Sequence, residues 1–210
     1  MATYVNDLRL KEIATGDESG TWGTSVNTQY ELIGEAMGAG TEAVANASTH
    51  TITMADGATD GFRCTFLRLT GGGQTCTVTL APNTVSHTWI IRNATSYALT
   101  FTQGSGANVI IAAGQAKIVS TDGAGSGAIV YECLEDLELG GTLTVGIDDT
   151  GQDVKFYGAT SGKYWLWDES ADGVVQQGTL TVGVDDTGYD VKLFGATSGA
   201  YMLWDESADD

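Results

Sequence analysis

The sequence predicts a mostly β protein, and three observations carry that expectation. Runs rich in threonine and valine are broken by glycine clusters, the pattern of short strands joined by tight turns. Glycine supplies 29 of 210 residues while proline occurs once, at Pro82, which excludes a collagen-like chain and a proline-rich linker. Five Trp, eight Tyr and five Phe within 42% hydrophobic residues are more than a disordered chain carries. Three segments follow along the chain: residues 1–40, a β domain over 41–134, and a repeat region over 135–210.

In the first segment, Met1–Glu12 has no apolar core of the secretory type, and no window of the chain reaches the roughly 20 apolar residues of a membrane span. Gly16–Gly20 reads as a loop. A helix is predicted over Thr24–Met37, where Val26, Tyr30, Ile33 and Met37 recur at spacings of four, three and four. Thr24 or Ser25 can cap its start, and Gly38-Ala39-Gly40 ends it. So short a helix is marginal alone in water, so its apolar stripe is expected to dock.

The second segment predicts strands at Thr49–Met54, Phe62–Leu69, Thr75–Leu80, Thr88–Asn93, Ala98–Gln103, Asn108–Ala112, Ala116–Ser120 and Ala128–Cys133. Gly71–Gln74 reads as the turn of a hairpin between the second and third of these. Strands at intervals of about ten residues predict a β-sandwich or jelly-roll-like domain.

The third segment contains an internal repeat. Gly141–Gly173 returns as Gly178–Asp210, an offset of 178 − 141 = 37 residues with seven substitutions. Each copy predicts a strand with Leu143, Val145 and Ile147 on one face, a strand over Val154–Tyr157 and a strand over Tyr164–Trp167. The last strand is apolar on both faces, and a strand of that kind must be covered on both sides. Two short copies cannot supply the cover. The cover is expected from other chains or from further copies beyond Asp210, with an intertwined homotrimeric shaft of repeated β-hairpins the favoured arrangement. Tyr164, Trp165, Leu166 and Trp167, with Tyr201, Met202, Leu203 and Trp204, are the expected trimer interface.

Charge limits the partners. Asp and Glu number 27 against 9 Lys and Arg, a net charge of −18. Phosphate recognition needs clustered cations, so neither nucleic acid nor an anionic membrane surface is an expected partner. Cys64, Cys76 and Cys133 are too few and too scattered for a zinc site and are expected to be buried thiols. Gly158–Tyr164 is one residue short of a phosphate loop, and Ala200 replaces its Lys163 in the second copy. Asp148–Asp153 and Asp185–Asp190 offer calcium-type oxygens but lack a closing glutamate, so turns capped by Asp are expected. Asp168-Glu169 and Asp205-Glu206 point to opposite sides of a strand end and cannot flank one bond. Neither His50 nor His87 has a clear nucleophile nearby. No catalytic residue, metal or cofactor is predicted, and the chain is not expected to be an enzyme.

Gly20-Thr-Trp-Gly-Thr-Ser-Val-Asn-Thr-Gln-Tyr-Glu-Leu-Ile33 resembles the amino-terminal G-x-W-G-x-x-x-N stretch of tailed-bacteriophage fibre proteins. The 37-residue repeat is similar to segments of predicted virion structural proteins from marine phages. The resemblance implies a trimeric tail fibre, made in the bacterial cytoplasm and anchored to the virion by its amino-terminal end. Trp22, Gly23, Asn27, Tyr30 and Ile33 are then the candidate anchoring residues, facing a tail adaptor, nozzle or portal-proximal protein. The chain would be the virion-proximal part of a longer fibre, whose distal region engages the host surface. The alternatives are a head fibre or capsid decoration protein, and a glycan-binding or depolymerising tailspike.

Overall fold

In the computed structural model, which describes residues 3–208, strands dominate and a single α-helix occurs among the described residues. The chain divides into two units, Met1–Glu138 and Leu139–Asp210.

The first unit opens with a short antiparallel hairpin, β1 (Thr3–Val5) on β2 (Leu10–Glu12). The helix α1 runs from Trp22 to Ala36, two residues earlier than the spacing predicts. Thr21 occupies its N-cap without a side-chain bond, so neither Thr24 nor Ser25 caps it. The start is fixed by the backbone: the Thr21 and Trp22 N–H groups both donate to the Glu18 carbonyl, at 2.8 and 2.9 Å. Trp22 and Gly23 thus belong to the first helical turn. No helix among the described residues is long and apolar enough to cross a membrane.

Beyond the helix the chain coils between two sheets. The strands β3 (Ala39–Val44), β5 (Phe66–Gly71) and β7 (Thr88–Asn93) lie side by side and parallel in one sheet. The strands β4 (Thr49–Thr53), β6 (Cys76–Ala81) and β8 (Leu99–Thr102) do the same in the other. Each turn of the coil adds one strand to each sheet. Three antiparallel strands complete it: β9 (Val109–Ile111) on β8, β10 (Ala116–Thr121) on β7, and β11 (Val130–Glu132) on β10.

Two sheets do enclose one core, but the connectivity is not that of a jelly roll. The expected hairpin at Gly71–Gln74 is a corner instead: β5 and β6 lie in different sheets. Gly71 and Gly72 take φ of +73° and +70°, and the Gly72 N–H donates to the Val44 carbonyl of the preceding turn at 2.8 Å. A corner stacked on a corner replaces a reversal. The side-chain pattern is the same in either case, because Leu67 and Leu69 on β5 and Cys76, Val78 and Leu80 on β6 alternate inward both ways.

The core is formed by these alternating residues, each large aliphatic or aromatic contributing about 1.5–3 kcal/mol on full burial. Trp89 is its largest member. Its indole N–H donates to the Phe62 carbonyl at 2.8 Å, and its ring stacks on Phe62 with centroids 4.8 Å apart. Gly40 lies against the Gly61 carbonyl and the Cys64 sulfur, so closely that any Cβ would overlap them. Asn93 is fully buried with its amide donating to the Tyr97 and Ile111 carbonyls, which makes Asn93-Ala94-Thr95 a core element. Cys64 and Cys76 are buried, and burial pushes both thiols up. Cys133 is exposed, contrary to expectation, because it follows β11 just past the end of the sheet.

In the second unit, β12 (Val154–Tyr157), β13 (Tyr164–Asp168) and β14 (Gly173–Gln177) form an antiparallel sheet. In the second repeat, β15 (Val191–Phe194) pairs with β16 (Tyr201–Trp204). The strands expected at Leu143–Ile147 and its counterpart are absent. Gly146 and Gly183, both at φ +84°, bend the backbone there. Ile147 and Thr150 then bond only to each other, by N–H···O contacts of 3.1 and 2.9 Å, and Val184 and Thr187 do the same. A Thr-Val alternation makes a strand only where a neighbour accepts its hydrogen bonds. Conversely, β14 lies mostly in the spacer between the repeats, where no strand is predicted.

Candidate functional site

Among the described residues, neither apolar surface singled out by the sequence is covered within its own unit. The helix docks on its own unit through a different face, where Leu32 and Ala36 are buried. Beside them Glu35 accepts the Asp60 and Gly61 N–H groups through Oε1 at 3.1 and 2.8 Å. Its Oε2 meets Arg63 Nη1 at 3.3 Å.

Arg63 is the residue the sequence leaves unmarked. Its side chain is wholly inaccessible and its guanidinium reaches three segments. Nε donates to the Leu8 carbonyl at 2.9 Å, Nη1 to Ala58 at 3.0 Å and Nη2 to Ala55 at 2.6 Å. Asp60 lies at 3.3 Å and also binds the N–H groups of Ala55, Phe62 and Arg63. This cluster ties hairpin, helix and coil together. The sequence alone does not single it out, because the strand-like run Phe62–Leu69 carries two cations, Arg63 and Arg68.

With Leu32, Ala36 and Glu35 turned inward, the expected docking stripe faces outward. Trp22 is 60% exposed, Tyr30 68% and Met37 82%, with Ile33 also exposed and Val26 half-buried. On a helix these five fall within one arc of about 80°. Gly23 is half-buried and Asn27 exposed beside them. Glu31 and Glu35, the helix's two charged residues, lie outside the arc. The stripe expected to dock is thus not the face that packs within its own unit, which is the neighbouring one with Leu32 and Ala36 buried and Glu35 on Arg63.

The repeats present a second uncovered surface. Among the described residues of Leu139–Asp210 none is buried. The register places Val154 beside Trp167, and Phe156 beside Trp165 with rings 5.6 Å apart. One face thus carries Phe156, Trp165 and Trp167 together. The other carries Tyr157, Tyr164 and Leu166, with Lys155 Nζ 3.7 Å above the Tyr164 ring. The second copy repeats this with Lys192 3.8 Å above Tyr201, while Met202 and Trp204 share one face and Tyr201 and Leu203 the other.

The acidic turns carry backbone hydrogen bonds. Asp153 and Asp190 accept the Glu169 and Glu206 N–H groups, each at 3.0 Å. The Ser170 hydroxyl and N–H hold the Asp168 carboxyl below the usual range, and Ser207 does the same to Asp205. Among the described residues no group of three or more His, Cys, Asp or Glu is placed to hold a metal ion.

The histidines are separate. His50 Nε2 lies 3.0 Å from Glu42, and its Nδ1 accepts the Ala45 N–H. His87 rests edge-on against Trp89, its Nε2 buried without a partner among the described residues. Burial pushes its pKa below 6.5, with Arg63 in the same direction and the Cys64 carbonyl, Asp7 and Asp60 opposing. Unfolded chains then take up a proton near pH 6.5 that the folded chain refuses. The stability from neutral His87 is complete above that pH and lost as the pH falls through it. Thermal melts from pH 7.5 to 5.5 are expected to fall less steeply for His87→Gln than for the natural chain; equal slopes would remove this role.

Compared with protein-family models, curated proteins and solved structures, the chain matches none.

Proposed function

We propose that the chain is a structural component of a phage virion: the virion-proximal part of a trimeric tail fibre. The observation that carries this is that the two apolar surfaces singled out by the sequence are each left open within their own units. A monomer keeping Trp22, Tyr30 and Met37 on one unit and three tryptophans on another exposed to water forgoes the burial that drives folding and association. An assembly component gains it on docking. The helix stripe, with Trp22, Gly23, Asn27, Tyr30 and Ile33, is the surface for a tail adaptor, nozzle or portal-proximal protein. The repeat faces, with Tyr164–Trp167 and Tyr201–Trp204, meet other copies of the chain. The resemblance of Gly20–Ile33 to fibre amino termini supports the same division of labour, with host contact left to a distal region.

Sedimentation of the full chain is expected to give three times the chain mass. Antibody against the chain is expected to label tails in electron micrographs of particles. A chain that stays monomeric at every concentration overturns the fibre, and label at the capsid vertices moves it from tail to head.

A further inference from the structure

Each repeat carries a segment with the alternation of a strand and no strand partner among the described residues: Thr142-Leu-Thr-Val145 and Thr179-Leu-Thr-Val182. Their apolar members are open to water, Leu143 by 63%, Val145 by 46%, Leu180 by 72% and Val182 by 47%. The chain's own hairpin does not take them up. Continued from the Ile147–Thr150 bridge, it would bring Leu143 opposite Val154, but Gly146 at φ +84° breaks it. Gly183 breaks the second copy in the same way. Asp153 then ties the turn to the end of β13 through the Glu169 N–H at 3.0 Å.

Each repeat also presents a strand edge without a partner among the described residues: the side of β12 away from β13, and the side of β15 away from β16. Such an edge is a row of unpaired N–H and C=O groups, and a lysine on it ordinarily deters pairing. Lys155 and Lys192 do not stand in the way here. Their ammonium groups lie over the rings of Tyr164 and Tyr201, at 3.7 and 3.8 Å, on one face of the sheet. In a chain of net charge −18, a strand that holds a cation and no acid is also where another acidic copy approaches favourably.

We propose that Thr142–Val145 of one copy pairs antiparallel with the open edge of β12 in a second copy, and Thr179–Val182 with the open edge of β15. The direction follows from the side chains. Laid four residues on four, the antiparallel pair sets Leu143 beside Phe156 and Val145 beside Val154, which extends the face of Trp165 and Trp167. Thr144 then lies beside Lys155. A parallel pair of the same overlap would set Leu143 beside Lys155 instead. The repeat is the reason for a second copy as the occupant. The two segments lie 37 residues apart, and so do the two edges, so one arrangement of two copies seats both pairs. Once the first pair forms, the second closes at high effective concentration. Segment and edge are different surfaces, so the contact is head-to-tail and closes as a ring. Closure at three rests on the trimer proposed above, whose repeat contacts this pairing specifies.

The test uses the full chain with Thr144→Cys and Lys155→Cys, two exposed residues that the pairing sets side by side on different copies. The exposed Cys133 is changed to serine, while Cys64 and Cys76 are buried. Thr144→Cys with Thr160→Cys, an exposed residue outside the strands, is the control. After mild oxidation, a denaturing gel without reductant is expected to show the first pair linked into species of two and three chain masses, and the control as single chains. Hydrogen exchange on the natural chain gives a second measurement that needs no variant. Amides of 142–145 and 179–182 are expected to be protected in the assembly and to lose that protection on dilution to monomers. A link closed within one chain overturns the exchange and returns the segment to its own β12. Trimers whose new thiols stay free, or amides that exchange alike before and after dilution, overturn the pairing while leaving the trimer standing. A natural chain that never assembles overturns both.

Discussion

Arg63→Ala is expected to lower the unfolding free energy of the first unit by about 3–5 kcal/mol, the cost of breaking a buried ion pair by removing one partner. The side chain is wholly buried, and Glu35 and Asp60 meet it at 3.3 Å each. Without the guanidinium those carboxylates face a cavity, and the carbonyls of Leu8, Ala55 and Ala58 lose their donors. Part of the cost is recovered because Glu35 and Asp60 keep their backbone N–H partners. Chemical denaturation followed by Trp89 fluorescence measures the loss. Since Leu8 is held from the hairpin and Glu35 from the helix, protease cutting before residue 21 is expected to accelerate as well. A change below about 1 kcal/mol would mean that water or repacking replaces the guanidinium, and the cluster would not be what joins these segments.

What the sequence showed and what it hid follow from the range of each interaction. Strand positions were legible where side chains alternate between core and solvent: Thr88–Asn93 is read and found at the same residues, and Thr49–Met54 within one. Partners were not, because alternation is identical in a hairpin and in a coil, and only the stacking of Gly72 on Val44 separates them. The strand β3 was hidden for another reason. Ala39-Gly-Thr-Glu-Ala-Val44 has little β texture and pairs because β5 lies alongside it. On the helix, periodicity located an apolar stripe but not the face that docks. That choice is made by Arg63 and Asp60, 28 and 25 residues beyond Glu35, through contacts no local window contains. In the repeats the paired strands were legible from their duplication, whereas β14, lying mostly in the spacer, has little duplicated sequence to mark it.

Trp22→Ala is expected to leave fold and assembly intact while removing attachment to the particle. Trp22 is the first residue of the helix, 60% exposed, and heads the outward arc that continues through Val26, Tyr30, Ile33 and Met37. Losing an exposed ring away from the core changes stability by no more than about 0.5 kcal/mol. Losing an aromatic that becomes buried in an interface costs about 2 kcal/mol or more, roughly a thirtyfold loss of affinity. The neighbouring arc strengthens the contrast, since Glu31 and Glu35 lie off it and nothing charged needs desolvating when the stripe docks. Melting temperature and sedimentation of the variant are therefore expected to match the natural chain, while its copy number in purified particles, read by quantitative immunoblot, falls steeply. Incorporation at the natural level would end the anchoring role of Trp22. Loss of the trimer itself would place the indole between copies of the chain, where it fixes the helix against its neighbours and leaves attachment to Tyr30 and Ile33.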